Sequence, residues 1–284
     1  MEEKSNLYHV HLAPKTGWFD IDLKEVWRYR DLIWLFTKRS FILRYKQTIL
    51  GPLWVIFQPL MTTLIYTFVF GGIAGISPDG VPSILFYMGG NAVWSFFAAC
   101  INGTANTFTG NAGVFGKVYF PRLVSPISTV MASVFDFFIQ FVMFLCFWAY
   151  YVFTGQVSPN YEGILMLPVI VIYLGMLGLG CGVVISSLTT KYRDLTMLVT
   201  FGVQLWMYIT PVVYPASAFG DGGLYIVGML NPVTCAVETF RWAFLGNGSF
   251  EPLFWLISAG IMSVIVCLGV VVFSRVEKTF MDTV

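Results

Sequence analysis

The chain has 284 residues, of which 57% are hydrophobic and only 11% charged, with a mean hydropathy of +0.76. Soluble domains carry about 25% charged residues. So few charges could not cover the apolar surface of a chain this long, which excludes an ordinary water-soluble globule. The net charge of +1 says little as a total; the placement of the charges says more.

Residues 1–20 are polar and hold no apolar stretch of the signal-peptide kind, so insertion is expected to use the first true span. Within them, Tyr8–Leu12 and Trp18–Asp22 alternate around Pro14 and Gly17, predicting a small extended or hairpin element. From about Leu23 to Gln47 a helix-compatible stretch carries seven basic residues among Trp27, Tyr29, Trp34, Phe36 and Phe41, and it stops before Gly51-Pro52. A basic, aromatic-rich amphipathic helix of this kind is expected to lie in the membrane interface. Residues 1–50 thus read as a cytoplasmic and interfacial arm, and 51–284 as the transmembrane domain.

Crossing a bilayer takes roughly 20 apolar residues. Six stretches qualify, at about 52–75, 84–106, 125–153, 163–187, 196–214 and 253–274. Because lipid offers no partner to backbone N–H and C=O groups, runs of this length are expected to be helices. Between the fifth and sixth, residues 215–252 hold two apolar pieces, Leu224–Leu230 and Val233–Leu245, split by Asn231-Pro232. Each is too short to cross. They read as a re-entrant external hairpin, with an ordinary loop packed on the spans as the alternative. The fold class expected is an all-α polytopic membrane protein with six transmembrane helices, an N-terminal amphipathic interfacial helix and that hairpin.

Every Lys and Arg except Arg241 falls in the arm, in the second or fourth inter-span loop (Lys117 and Arg122; Lys191 and Arg193) or in the tail (Arg275 and Lys278). In a six-span chain these lie on one side, and the excess of positive charge there places both termini in the cytoplasm. The five Cys sit in apolar surroundings with no metal-type spacing and read as small hydrophobes.

Signs of catalysis are scarce. His9 and His11 make too few ligands for a metal site. In Asn111–Val118, Asn111 stands where a phosphate loop needs Gly and Val118 where it needs Ser or Thr, so no nucleotide is expected to bind this chain. Gly175, Gly178, Gly180 and Gly182 form a small-residue stripe suited to close helix packing, within one protomer or across a dimer seam. Gln58, Asp136, Gln140 and Gln204 are the polar groups noted inside spans. Asp136 is expected to face protein or water, as a functional group or as a tie to a neighbouring helix. Phe57, Tyr66, Tyr173, Trp206 and Tyr208 lie at depth and are candidates to line a channel for a sugar chain, whose C–H faces stack on rings.

Several long motifs bring a family into view. Gly17-Trp-Phe-x-x-x-Leu23-Lys-Glu-Val-Trp-Arg-Tyr-Arg-Asp-Leu32, Arg44-Tyr-Lys-Gln-Thr-x-Leu-Gly-Pro-Leu-Trp54 and Gln58-Pro59 resemble the permease subunit of polysaccharide ABC exporters, the type-2 ABC permease family that exports O-antigen and related cell-surface glycans. Lys117-Val-Tyr-Phe-Pro-Arg-Leu123, Lys191-Tyr-Arg-Asp-Leu195, Asn231-Pro-Val-Thr and Glu238-Thr-Phe-Arg-Trp242 agree with it, so the resemblance covers nearly the whole chain. It implies a homodimeric, non-enzymatic permease in the bacterial inner membrane. Two copies of a separate ATPase subunit would hold ATP and Mg, the cargo would be a lipid-linked polysaccharide, and no nucleic acid would be involved. It implies coupling to the ATPase through Lys117, Tyr119, Arg122, Arg193 and Asp194. Arg28, Arg30, Lys38, Arg39 and Arg44 of the arm would form an entrance, and Asn231, Glu238 and Arg241 would narrow the exit. Teichoic-acid or capsule export is the alternative within the family. An ion-coupled transporter or channel would want more ionisable residues in the spans than Asp136, and a glycan-modifying enzyme would want acid/base residues clustered at a membrane face.

Overall fold

The computed structural model describes residues 23–46, 48–76, 80–115, 117–118, 120–189, 192, 194–220 and 222–283. These form helices and their connections, with no strand among the described residues. The extended element expected over Tyr8–Leu12 and Trp18–Asp22 lies outside them. The arm is α1 (Leu23–Arg28) and α2 (Arg30–Tyr45). A 3-10 turn at Gly51–Leu53 leads into α3 (Trp54–Tyr66), which loosens into π-helical turns over Thr67–Ile73. Then come α4 (Ser83–Ala105), α5 (Thr107–Phe115), α6 (Val124–Phe153), α7 (Tyr161–Ile164), α8 (Leu167–Thr189), α9 (Leu195–Ile209), α10 (Gly223–Leu230), α11 (Pro232–Leu245) and α12 (Pro252–Thr283).

Among the described residues, five stretches are long and apolar enough to cross a bilayer: Gly51–Ile73, Ser83–Ala105, Val124–Phe153, Tyr161–Thr189 and Pro252–Val276. The expected span at 196–214 is shorter than its apolar run. α9 has 15 residues, about 22 Å at 1.5 Å per residue. It stops because Thr210 precedes Pro211 and adopts an extended backbone (ψ 138°), the conformation a following proline imposes. The chain then turns through 210–214. α10 and α11 meet at a 93° bend, the geometry of a re-entrant hairpin or of a broken span. Asn231 makes that bend: its side chain caps α11 by accepting from the Val233 N–H at 3.2 Å, with Pro232 in the first turn. At the far end Gly246, at φ +69°, closes α11 in the left-handed conformation.

α4 is the spine. Of its most apolar window 78% is buried, against 11% for the span containing α3 and 17% for α12. The glycine stripe of α8 serves packing inside the protomer. A Cβ on Gly178 would lie 2.5 Å from Cys100 Cβ, and one on Gly182 would lie 2.5 Å from Thr104 Cβ, both on α4. Gly180 turns the other way, its Cβ position 2.9 Å from Val266 on α12. One apolar core fills the space between α4, α6, α8 and α11, with Phe137, Phe141, Phe144, Phe240 and Phe244 forming a run of ring contacts.

A second, separate core lies where the arm meets α5, the loop after it and α12. Val26, Phe108, Phe115, Phe120, Leu123, Val183 and Phe273 are buried there together. Phe108 stacks on Phe273 at 4.6 Å, and Phe36 of α2 meets Phe120 edge-on at 5.5 Å.

Replacing Gly182 with Val is expected to lower the melting temperature in detergent. The added methyls meet Thr104 and the Ile101 carbonyl, an overpacking cost of about 1–3 kcal/mol. Gly260→Ala, with nothing within 4 Å, is the matched control and is expected to be neutral or stabilising by about 0.5–1 kcal/mol.

Candidate functional site

Three spans each carry a pair of polar residues four apart: Gln58 and Thr62 on α3, Asn91 and Ser95 on α4, Asp136 and Gln140 on α6. That spacing puts each pair on one face of its helix, and the three faces converge. They line a pocket of about 350 Å³ with Ser133, Trp54 and the end of the arm, Arg44 and Tyr45. Thr62 donates back to the Gln58 carbonyl at 3.0 Å, while the Gln140 Oε1 atom is buried with no hydrogen-bond partner among the described residues. Of the polar span residues noted from sequence, Gln58, Asp136 and Gln140 meet here. Gln204 does not. Asn91, Ser95 and Thr62 are additions, legible afterwards as polar pairs at helical spacing within apolar runs.

Asp136 is a tie to a neighbouring helix. The Arg44 guanidinium donates to its Oδ2, and the Tyr45 hydroxyl donates to its Oδ1 at 3.0 Å. Burial, and then the adjacent carboxylate, push the Tyr45 phenol above its ordinary value. Seven residues earlier on α2, Thr37 Oγ1 donates to the Ser128 carbonyl at 3.2 Å. Thr37 to Arg44 is seven residues and Ser128 to Asp136 is eight, so α2 runs alongside α6 in the same direction. The arm helix is therefore packed lengthwise on a span through one face. Arg28, Arg30, Lys38 and Arg39 remain exposed.

The hairpin is the other polar feature. Arg241 is 1% exposed, yet its guanidinium has partners on most sides. Nη1 donates to the Pro211 carbonyl at 2.6 Å and to Glu238 Oε1 at 2.9 Å; Nη2 donates to the Val212 carbonyl at 2.7 Å. The cation sits 3.6 Å from the centre of the Phe86 ring on α4, an attractive cation–π geometry. A buried charge is tolerable only when so paired and bonded. α4 passes close because Gly90 has no side chain: a Cβ there would lie 2.8 Å from the Val212 carbonyl and 3.1 Å from Nη2.

Aromatic donors from four spans pin the same hairpin. Trp206 Nε1 of α9 donates to Asn231 Oδ1 at 3.1 Å, and Tyr173 Oη of α8 to the Pro232 carbonyl at 3.0 Å. Trp255 Nε1 of α12 donates to Thr239 Oγ1 at 2.7 Å, and Trp148 Nε1 of α6 to the Phe244 carbonyl at 2.6 Å. Asn231 Nδ2 completes the bend by donating to Thr210 Oγ1 at 2.8 Å.

The remaining expected site residues fall into distinct places. Phe57 and Tyr208 are exposed on α3 and α9, and Tyr66 and Trp206 are half-buried between those helices and α4. Tyr173 is 5% exposed and belongs to the protein core, because its hydroxyl finds its partner on the hairpin. Glu238 and Arg241 are likewise turned into the protein, and Asn231 is half-buried at the bend. Lys117 and Asp194 are exposed on their loops. Arg122 is buried, its guanidinium 5.7 Å from the Phe115 ring centre, so it supports the second core from within rather than presenting its charge on the loop surface. Tyr119 and Arg193 lie outside the described residues. No group of three His, Cys, Asp or Glu side chains converges on a metal-sized site among the described residues. The chemistry available in the pocket is hydrogen bonding by amides and hydroxyls beside one ion pair.

Comparison with known proteins supplies the family. The model of the ABC-2 type transporter family matches residues 31–245. Two sequences named O-antigen export system permease protein RfbA, both from Klebsiella pneumoniae, are similar to this chain. They are 27% and 28% identical, each match covering 89% of this chain and 94% of the relative. The protein of the same name from Myxococcus xanthus is 25% identical over 84% of this chain and 91% of its own length.

Arg241→Met is expected to cost about 3–5 kcal/mol, the usual penalty for leaving a buried carboxylate, here Glu238, without its partner. Arg241→Lys should not restore stability, since one ammonium cannot reach both carbonyls and Glu238 in the guanidinium's fork. Combining Arg241→Met with Glu238→Gln should recover part of the loss. Thermal unfolding in detergent reads all three.

Proposed function

The chain belongs to the ABC-2 type transporter family, and from that membership we propose that it is the transmembrane subunit of an ATP-driven exporter moving a lipid-linked polysaccharide of the O-antigen type across the bacterial inner membrane, with both termini in the cytoplasm. The observation that carries this reading is the near full-length match to export permeases whose name states that cargo. The polar pocket supports it: amides and hydroxyls suit a ligand rich in hydroxyl groups.

A second copy of the chain completes the exporter. α3 and the π-helical turns after it leave Trp54, Phe57, Ile65 and Phe68 exposed, and α9 leaves Met197, Phe201, Leu205 and Tyr208 exposed. Tyr66 Oη lies 3.6 Å from Met207 Sδ, bringing the two helices together. The seam between two copies runs along these faces, and the glycan passes there, with Phe57, Tyr66, Trp206 and Tyr208 as its aromatic lining. The arm, through Arg28, Arg30, Lys38, Arg39 and Arg44, gathers the anionic linker at about 1 kcal/mol per basic residue. The hairpin held by Asn231, Glu238 and Arg241 shapes the exit.

ATP and Mg are held by two copies of a separate ATPase subunit. That subunit seats against the loop after α5, at Lys117 and Tyr119 with Arg122 bracing from inside, and against Arg193 and Asp194. When the ATPases close on ATP, the α5 loop moves. The second core carries that motion to the arm through Phe120 and Phe36, and to α12 through Phe108 and Phe273. The Arg44–Asp136 pair passes it to the pocket. Hydrolysis resets the arrangement.

Reconstituting this chain with its ATPase should give glycan-stimulated ATP turnover and delivery of glycan to the opposite face. Movement of a small ion in place of glycan would sink the reading. Lys117→Glu with Asp194→Lys should weaken ATPase binding about tenfold, about 1.4 kcal/mol, without lowering folded yield. Asp136→Asn should preserve ATPase binding while reducing glycan movement, because the arm then loses its ionic hold on α6.

A further inference from the structure

A second concavity lies apart from the polar pocket, with Lys38 of the arm on its wall. It is a groove of about 750 Å³ between α2, α3 and α6, within the roughly 300–1,000 Å³ of small-molecule sites. On α2 its wall is Trp34, Thr37, Lys38 and Phe41, spaced three, four and seven apart, the face of one helix. On α6 it follows a single stripe from Phe135 through Phe138, Val142 and Cys146 to Phe147. Twelve residues of α-helix rise about 18 Å, so the groove is long and narrow and follows the span. Trp34 and Phe135 close one side in an edge-on contact at 5.7 Å.

Its polar groups are few and sit at one end. The Thr37 hydroxyl is already committed to the Ile33 and Ser128 carbonyls, at 2.8 and 3.2 Å. Lys38 is exposed and forms no ion pair among the described residues. The bond to Ser128 sets this end beside the first turns of α6, and Phe147 lies at the other, toward the end of α6. An apolar trough of this length with one cation at its mouth matches a molecule with a single anionic head and a linear hydrocarbon tail. Basic side chains at a membrane surface attract such heads, and the α2 segment adds Arg39 next to Lys38.

We propose that this groove is a binding site for an anionic phospholipid of the surrounding bilayer, one acyl chain lying along α6 and the phosphate on Lys38, and that the bound lipid helps seat the arm helix on α6. That the Lys38 end faces the inner leaflet rests on the proposed function; the groove and its charge do not. The cargo lipid of the exporter is the competing occupant. The commitment to a phospholipid follows from the groove's having a single cation in its lining and no sugar-binding amides along it, whereas the amides line the separate pocket that includes Arg44.

The test uses the full chain with its ATPase in nanodiscs. These contain either phosphatidylglycerol or phosphatidylcholine carrying a photoactivatable diazirine at the acyl-chain end, with peptide mapping after irradiation. Label should concentrate on 142–147, the end of the groove away from Lys38, about fivefold more with phosphatidylglycerol than with phosphatidylcholine. Lys38→Glu should abolish that preference, and Val142→Trp, which fills the trough, should remove the label while the complex stays folded and ATPase-bound. Equal labelling of α3, α9 and α12, or an unchanged pattern in Lys38→Glu, would overturn the proposal. So would displacement of the label by stoichiometric polyprenyl-linked glycan, which would give the groove to the cargo. A complex that labels as expected but moves no glycan would leave this site standing and remove the transport reading instead.

Discussion

The buried guanidinium of Arg241 is the constraint around which the hairpin end of the molecule is organised. A cation with no access to water must find partners, and here they come from three separate places. Glu238 lies one turn away on the same helix, the carbonyls of Pro211 and Val212 belong to the turn after α9, and the Phe86 ring belongs to α4. Pro211 both breaks α9 and leaves carbonyls that the broken helix cannot satisfy. Arg241 meets that need, so the short fifth span and the re-entrant hairpin are two halves of one solution. Glycines at 89 and 90 on α4 let α11 and the 211–212 backbone come close enough. A side chain at either place would push them apart.

The end of the molecule that holds the arm depends on a different device. Aromatic residues of the arm, α5, the loop after it and α12 share one small core, and Arg122 lies within it against Phe115. A loop attached this way cannot move alone, because close-packed rings transmit displacement rather than absorb it. The ion pair between Arg44 and Asp136 then joins the arm to α6 beside the polar pocket. Apolar packing supplies the mechanical link and the ion pair supplies its register. Spending an acid inside a span is tolerable because a basic residue from outside the spans comes to meet it.

Much of the fold was legible in the amino-acid pattern. The apolar runs located the spans, Gly51-Pro52 separated arm from span, and Asn231-Pro232 marked the bend between α10 and α11. The stripe from Gly175 to Gly182 announced close packing but not with what; Thr104, Cys100 and Val266 answer that. Less of the candidate site could be read. Tyr173 and Arg122 stood out by residue type and position alone, an aromatic at depth and a basic residue in a loop, and neither fact says what surrounds the side chain. Both are buried, since each finds its partner inside the protein. The pocket was visible only in part, as Gln58, Asp136 and Gln140, because Asn91 and Ser95 are modestly polar residues in a run that otherwise reads as apolar.

The sequence alone therefore determined the properties that follow from composition over short windows: helical character, the number and approximate limits of the apolar runs, the one-sided placement of Lys and Arg, and the bend at a proline. These depend on the solvent each segment needs and on local backbone chemistry. Tertiary structure alone decided which isolated polar groups became partners. Arg44 and Asp136 stand 92 positions apart, Trp148 and the Phe244 carbonyl 96, and Arg241 and the Pro211 carbonyl 30. Their meeting depends on how helices cross and which way each face turns, and a hydropathy pattern does not record that because every apolar face is equally welcome in lipid.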